Sequence, residues 1–572
     1  MFILGVSCDY HDSSAALVED GRVVAAASEE RFSRKKHDSA IPARTIAWCL
    51  EHAGIQSQDL DYVAFYEKPL LKFDRIIATS IDYYPRSAPF FREAMLSWFS
   101  EKLWIKSRLL GLLGIPANRI LFCEHHLAHA ASAFYCSGFR EAAILTVDGI
   151  GEWATATMGE GNDGGIRLPL EIRWPHSLGM LYSVFTAFLG FEVNEGEYKV
   201  MGLAPYGTPR HIDKVWKLVR CSEDGAIELN LDYFSYQHTP RRAFSSRFLR
   251  LFGEPRSPHA AGHDQRHADI AASVQKVTEE ILLRMARAAT RRSGKRRLVM
   301  AGGVALNCVA NGRIQDEAGI DDLFVQPAAG DGGGSLGAAL WAWHTVLGHP
   351  CGEQLEHVSL GRATPCSEIR TELERTGAAN AELRSEDELV DRATEDLLAG
   401  NVIGWSQGRF EWGPRALGHR SILADPRQCE ARDVVNKKIK FREMFRPFAP
   451  SLPAACAARY FEQPLEGQPT TKFMLRTATV RSEMRSQTPA TTHVDGSARP
   501  HLVAREWNSR YFDLIRRFGE ASGHPVLLNT SFNLRGEPIV ASAADALSTF
   551  FRSGLDVLYL ENYRVTKPGS AS

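Results

Sequence analysis

The sequence predicts an α/β protein of at least two domains, the first of them built by duplication. Three observations carry this. The chain has 572 residues, too many for one hydrophobic core. Its hydrophobic content is 44% with 46 glycines. And a strand, an acidic loop and a β-hairpin occur in that order twice.

The first copy opens with a strand from Phe2 to Ser7, which leads into Asp9, His11 and Asp12. A second strand, Ala15 to Glu19, turns at Asp20-Gly21 into Val23 to Ala27; Asp-Gly is a strong hairpin signal. The second copy is the strand Ala143 to Val147, the loop Asp148-Gly149, and a hairpin from Trp153 that turns within Gly161 to Gly165. Such a repeat resembles the start of each lobe of an actin-like nucleotide fold.

Between the copies lies the Ala-rich segment Cys123 to Ala133, which should be helical. His125 and His129 are four residues apart, so both imidazoles lie on one helix face. Asp148 follows nineteen residues after His129. Two imidazoles and a carboxylate make a divalent-metal half-site. A zinc-protease helix reads H-E-x-x-H with Glu as general base. Here that slot holds His126, so the hydrolytic base is missing. A structural histidine pair is the ordinary alternative.

Farther on, a helix from an Asp269 N-cap to Ala289 precedes a buried strand at Leu298 to Met300. Two Gly loops follow, Ala301 to Asn307 and Gly330 to Ser335, the second opening a helix over Leu336 to Val346. Glycines there let backbone N–H groups approach an anion, and a helix N-terminus favours negative charge. The aromatic-rich residues 66–118, with Phe73, Tyr83, Tyr84, Phe90, Phe91, Trp98 and Trp104, are aromatic enough to line an acceptor pocket and read equally as a helical core, the reading slightly favoured.

The texture changes after His349-Pro350-Cys351-Gly352, which places a linker at 346–365 between domains 1–345 and 366–572. Residues 352–400 read as charged and mostly helical, and strands are expected at Val402 to Trp405 and Pro525 to Leu528. The polar stretch 477–499 reads as a mobile loop. Arg409, Arg415, Arg420 and Arg427 surround Gly408, Gly413 and Gly418, with Glu411 and Asp425 the only acids in that run. The run Asn436 to Phe448 adds five basic residues, and Pro447 holds Arg446 at a bend. Guanidinium forks and ammonium groups suit phosphate oxygens. Asn529 to Asn533 follows a strand, and strand ends of α/β sheets are where ligands sit.

Charge is balanced, with 67 Lys and Arg against 68 Asp and Glu, so nothing global draws the chain to nucleic acid or an anionic membrane. Its ten cysteines contain no C-x-x-C pair, which fits reduced thiols. No signal-like N-terminus and no apolar run near the ~20 residues of a membrane span is present. A cytoplasmic enzyme is expected.

Together these motifs resemble the O-carbamoyltransferase family of antibiotic and nodulation-factor biosynthesis. The residues that carry the resemblance are His11 to Ala16, Glu29 to His37, the His125/His129 helix, Val147-Asp148-Gly149, Glu197 to Gly207, Gly302 to Asn307, Gly413 to Gly418, Arg446 to Pro450 and Leu528 to Asn533. The resemblance implies an actin-like (ASKHA-type) N-terminal domain and a C-terminal α/β domain similar to the threonylcarbamoyl-adenylate synthase fold. It implies that carbamoyl phosphate and ATP, the latter with Mg²⁺, give carbamoyl-adenylate and pyrophosphate. A hydroxyl of a small-molecule acceptor, a natural product or sugar, then takes the carbamoyl group.

Carried over by position, His125, His129, Asp148 and Asp331 match the family's metal ligands, with iron(II) or a similar divalent ion. His11 matches the base for the acceptor hydroxyl. Arg415, Lys440, Arg446, Arg499 and Asn529 match the carbamoyl-phosphate pocket. Lys199, Gly302, Gly303 and Asn307 match nucleotide-binding positions. The resemblance names no acceptor and leaves the oligomeric state open, a homodimer being one arrangement. Two rivals stay in view: a kinase-like ATPase on the same fold, which would release ADP rather than AMP, and a tRNA threonylcarbamoylation-type enzyme, which the neutral charge disfavours.

Overall fold

A pair of five-stranded sheets with one shared topology forms the heart of the first unit. A computed structural model of the chain describes residues 1–239, 242–258, 262, 264–352 and 354–567. It divides into two compact units, one of Met1–Ala26 with Ser39–Leu355, the other of Ala27–Asp38 with Glu356–Ser572.

In the first unit, β1 (Phe2–Ser7) pairs antiparallel with β2 (Ser14–Glu19), Phe2 opposite Glu19 and Ser7 opposite Ser14. It pairs parallel with β4 (Leu60–Phe65), which pairs parallel with β5 (Ile120–Phe122). With β3 (Arg22–Ser28) the order is β3-β2-β1-β4-β5. In the second sheet, β6 (Ala142–Val147) pairs antiparallel with β7 (Ala154–Asn162), and β7 with β8 (Gly165–Arg173). A separate small hairpin is made by β9 (Val219–Cys221) and β10 (Ile227–Leu229). The second sheet is completed by β11 (Arg297–Ala301) and β12 (Asp322–Val325), parallel to β6 and to each other in the order β8-β7-β6-β11-β12. Strand for strand this repeats the first sheet. The duplication read from the sequence is the architecture, a mixed α/β fold of actin-like type.

Each sheet's fifth strand leads into a helix, His125–Phe134 after β5 and Asp331–Trp341 after β12. These two helices pack without side chains between them at one point: a Cβ on Gly337 would sit 1.8 Å from the Ala128 carbonyl oxygen. On its other side the second helix meets β1, where a Cβ on Gly5 would lie 1.8 Å from the Ser335 carbonyl oxygen. That close approach explains why a Gly-rich segment, poor in helix propensity, is helical from Asp331 onward. The helix begins five residues before the expected Leu336 and gives way to a wider turn at Ala342–Val346.

The long helix runs Gln265–Ser293 and is capped by Asp264, whose side chain accepts from the His267 N–H. The expected cap, Asp269, is instead buried inside the helix and accepts from Thr208 N at 2.8 Å. Nothing in Gln265 to Ala268 stops the helix, so it extends one turn back to the next capping residue.

Residues 66–118 are helical, with Pro69–Asp82, Ala88–Ser100 and Ile105–Leu113. Trp98 is buried against Phe73. Tyr84, Phe91, Phe99 and Trp104 are exposed, so the aromatics do not all form a core.

The second unit holds an eight-stranded mixed sheet, whose centre is Val557–Leu560, Ile403–Ser406, Arg420–Ala424, Leu527–Ser531 and Ala449–Pro453. Alternation along the strands sends Leu423, Leu527 and Tyr559 into one core with helices Glu386–Leu398 and Ser509–Ser522. Ile422, Leu528 and Leu558 enter another with Ala543–Phe551. Burial on both faces is why these strands read as continuous apolar runs.

Residues 477–499 are not a loose loop. Ala478–Thr479 pairs antiparallel with Ser497–Ala498, and Ala478, Val480 and Ala498 enter a third core with Leu452 and Leu502. The spaced Ala and Val positions were diluted among polar residues, so the pattern was faint.

The second unit also takes the early segment Ala27–Asp38. Buried Arg31 donates to the Gly413 carbonyl at 3.0 Å. Arg34 donates to the carbonyls of Ile539 and Pro538 at 2.8 and 2.9 Å and pairs with Asp545 at 3.1 Å.

Candidate active site

The duplication supplies the first site. From one copy come the loop after β1, with His11, and the helix after β5, with His125 and His129. From the other come the loop after β6, with Asp148, and the start of the helix after β12, with Asp331. All four of His125, His129, Asp148 and Asp331 are buried, and one ligand atom from each lies within 4.8 Å of the others.

The two imidazole Nε2 atoms are 3.1 Å apart. Asp148 Oδ2 lies 3.1 and 3.5 Å from those of His125 and His129, and Asp331 Oδ1 lies 3.7 and 3.8 Å from them. Ligands about 2.0–2.2 Å from one tetrahedral ion are separated by roughly 3.3–3.6 Å. The residues therefore fit a divalent cation in both spacing and donor type.

The two carboxylates make the field at this cluster strongly negative. Burial opposes charge on His125, yet the Asp148 hydrogen bond and the Asp331 charge raise its pKa to about 9. Burial likewise opposes ionisation of Asp148, and its hydrogen bonds with His125 and His129 overcome this and hold it well below the usual carboxylate range.

Its surroundings fix the site. Gly303 N–H donates to Asp148 Oδ1 at 2.8 Å. Glu152, buried, accepts from the His125 N–H at 3.0 Å and the Lys68 N–H at 2.8 Å, so it caps the ligand helix from another element. Sequence reasoning missed Glu152, which no periodic pattern marks. His126 is structural: its ring nitrogens contact Thr146 Oγ1 at 2.7 Å and the Ala154 carbonyl at 2.9 Å. Burial and the adjacent His125 and His129 lower its pKa to about 3.

His11 sits beside this cluster. Its Nδ1 is 2.9 Å from Asp12 Oδ2, and its Nε2 is 3.8 Å from Asp331 Oδ2. Burial disfavours its charge, but Asp331 and Asp12 outweigh that and raise the pKa to about 9.

Of the nucleotide-binding expectations, Gly302 has a φ of 94° and Gly303 opens the short turn to Leu306. Asn307 caps the helix Cys308–Glu317 and exchanges hydrogen bonds with Gln275 at 3.1 Å. Lys199 lies in the helix Glu197–Leu203, its ammonium 5.7 Å from the Phe191 ring centre.

The second unit has its own charged site. Lys440 is buried and donates to Ser531 Oγ at 3.1 Å and Asn533 Oδ1 at 2.7 Å. Burial, then Arg442, Arg446 and Lys36, push its pKa well below the usual lysine range. Burial, Arg446 and Arg499 do the same for Arg442, with Glu443 the opposing charge. Cations gathered this way attract an anion. Arg442 and Lys36 are members that sequence reasoning did not single out. Arg415 is half-buried in the loop before Arg420–Ala424. That loop is tied to Asn529, whose Nδ2 donates to the Ala416 carbonyl at 3.2 Å.

Comparison with known proteins follows this division. The family model for the carbamoyltransferase N-terminus matches residues 2–340, and that for the carbamoyltransferase C-terminus matches residues 394–567. Nodulation protein NolNO of Sinorhizobium fredii is 38% identical over 97% of this chain and 79% of its own. The 3'-hydroxymethylcephem-O-carbamoyltransferase of Amycolatopsis lactamdurans is 32% identical over 94% of each chain. Among solved structures, component A of Acidaminococcus fermentans (R)-2-hydroxyglutaryl-CoA dehydratase aligns with 61% of this chain and 99% of its own, at 14% identity and a TM-score of 0.33. Both halves matched, in order and over most of their length, make this chain a member of the O-carbamoyltransferase family, an enzyme that transfers carbamoyl groups.

Proposed function

We propose that the protein is an ATP-dependent O-carbamoyltransferase working in two steps. The 366–572 domain forms carbamoyl-adenylate, and the 1–345 domain passes its carbamoyl group to an alcohol of a natural product or sugar. The observation that carries the reading is the pairing of a buried His₂Asp₂ cluster with a separate buried cation cluster in one carbamoyltransferase chain.

A carbamoyl group is a poor electrophile, because nitrogen donates into its carbonyl. Adenylation gives it a better leaving group. For atoms to balance, carbamoyl phosphate first yields phosphate and carbamate with water. A carbamate oxygen then attacks the α-phosphorus of ATP and pyrophosphate leaves. Arg415, Lys440, Arg446 and Arg499, with Asn529, bind the carbamoyl phosphate in this reading, and Arg442 adds to the field. Lys199, Gly302, Gly303 and Asn307 contact the nucleotide part of the adenylate.

In the transfer step the acceptor hydroxyl attacks the carbamoyl carbon, its proton passes to His11 Nε2, and AMP departs. His125, His129, Asp148 and Asp331 hold the metal, which we propose is iron(II). When bound, the cation stabilises negative charge on carbamoyl or phosphate oxygens.

Each charge-assisted contact is worth about 1.5–3 kcal/mol. Arg446→Ala is therefore expected to slow carbamoyl-phosphate-dependent pyrophosphate release by at least about tenfold. A colorimetric pyrophosphate assay checks this. Undiminished release in the variant, or equal release without carbamoyl phosphate, would contradict the assignment.

A further inference from the structure

Two cations are buried on one face of the helix Pro69–Asp82, and only one of them has a carboxylate. Lys72 and Arg75 are three residues apart, so they share that face. The Lys72 ammonium pairs with buried Glu67 at 2.7 Å. Arg75 is 8% exposed, and among the described residues its guanidinium makes no hydrogen bond or ion pair; its Nη1 is wholly buried. Burial pulls its pKa down to about 10, with Tyr10, Glu67 and Glu152 opposing, so it stays charged near neutral pH.

The two carboxylates of this neighbourhood are already engaged. Glu67 holds Lys72. Glu152 accepts from the backbone N–H groups of His125 and Lys68 at 3.0 and 2.8 Å. A buried charge left unpaired is costly, and an opposite charge relieves the cost. A bound anion would supply it here.

The guanidinium lies over the Trp174 ring, with 5.4 Å between its carbon and the ring centre. The indole Nε1 is a second buried donor with no acceptor among the described residues. Donors of this kind suit an oxyanion, and the Arg fork matches the two oxygens of a carboxylate.

The pair stands beside the metal-ligand cluster. Trp174 N–H donates to the Trp153 carbonyl at 2.8 Å, and Trp153 Nε1 donates to Asp74 Oδ2 at 3.3 Å. Both contacts tie the surroundings of Arg75 to the loop that runs from Asp148 to Trp153. Tyr10 is 43% exposed, and its ring lies 4.5 Å from the His11 ring and 5.0 Å from the Lys72 ammonium. Tyr10 therefore links the proposed base to the helix face that carries Arg75. The nucleotide-binding expectations, Lys199, Gly302, Gly303 and Asn307, lie on other elements, and none of them is among the groups that face Arg75.

We propose that Arg75 binds a carboxylate carried by the acceptor, so that the alcohol carbamoylated by this protein is a hydroxy acid. This rests on the proposed transfer to an alcohol in the 1–345 domain. The carboxylate docks on Arg75 over Trp174, and the hydroxyl reaches toward His11 along the Tyr10 ring. Arg75 touches the substrate and takes no part in proton transfer.

The probes are para-(hydroxymethyl)benzoate and its carboxamide, which match in shape and differ in charge. Their binding to the full chain is measured by equilibrium dialysis without ATP or carbamoyl phosphate, and AMP is measured in parallel. Wild type is expected to bind the acid at least about tenfold more tightly than the amide. Arg75→Met should remove that preference, while the affinities for the amide and for AMP stay within about twofold. Arg75→Lys keeps the charge and should keep a preference for the acid, which covers a Met variant that does not fold. Equal binding of acid and amide by the wild type, or no detectable binding of the acid, would overturn the proposal. So would a loss of AMP affinity in Arg75→Met with the acid preference intact, since the guanidinium would then serve the nucleotide phosphate. Failure of the two-step chemistry would show separately, as no AMP formed from ATP and carbamoyl phosphate.

Discussion

Replacing His129 by alanine should leave a folded protein that has lost its metal and nearly all carbamoyl transfer. The ring is buried among His125, Asp148 and Asp331, with Nε2 at 3.1 Å from that of His125. Alanine removes one of four ligand groups, and three groups including two carboxylates remain. Helix formation does not suffer, since alanine is the best helix former, and the helix N-terminus is still capped by Glu152. Product formation should fall by orders of magnitude. Metal analysis of the purified variant, with circular dichroism as the folding control, measures both halves. Full metal occupancy in His129→Ala would refute the ligand assignment.

His11→Asn should separate the two steps. Asparagine keeps size and polarity but takes no proton near neutral pH. General-base assistance typically contributes ~10²–10⁴-fold, so acceptor carbamoylation should drop by about that factor. Carbamoyl-dependent conversion of ATP to AMP should continue, because His11 belongs to the first unit and the cation cluster to the second. The imidazole is placed for this role by Asp12 on Nδ1, which leaves Nε2 toward the metal cluster. Against the opposing effect of burial, its pKa of about 9 reflects the Asp331 charge, then the hydrogen bond and charge of Asp12, with Asp148 adding less. Equal loss of both activities would show that His11 shapes nucleotide activation instead.

Much of this was legible in the sequence, and for physical reasons. The duplication showed because each copy is a short apolar strand, an acidic loop and a β-hairpin in the same order, and local signals of that kind survive folding. His125 and His129 were readable because a helix fixes what lies four residues apart. Asp331 was not readable by pattern. Its place in the cluster depends on the close approach allowed by Gly337 and Gly5, a tertiary fact that resemblance alone supplied. Glu152 caps a helix from outside it, and Ser451 bridges Asn529 and His501. Such contacts join positions 27 to 78 residues apart, and no short-range spacing encodes them. The affiliation of Ala27–Asp38 with the second unit was hidden for the same reason.

The central claim is a carbamoyl transfer driven through an adenylate, and the nucleotide product decides it. The protein is incubated with ATP, carbamoyl phosphate and an alcohol acceptor panel, and phosphorus NMR follows every phosphate species. The account predicts AMP, pyrophosphate and phosphate in equal amounts, all three dependent on carbamoyl phosphate. ADP as the nucleotide product, formed with or without carbamoyl phosphate, would contradict it and identify a kinase-like ATPase on the same fold.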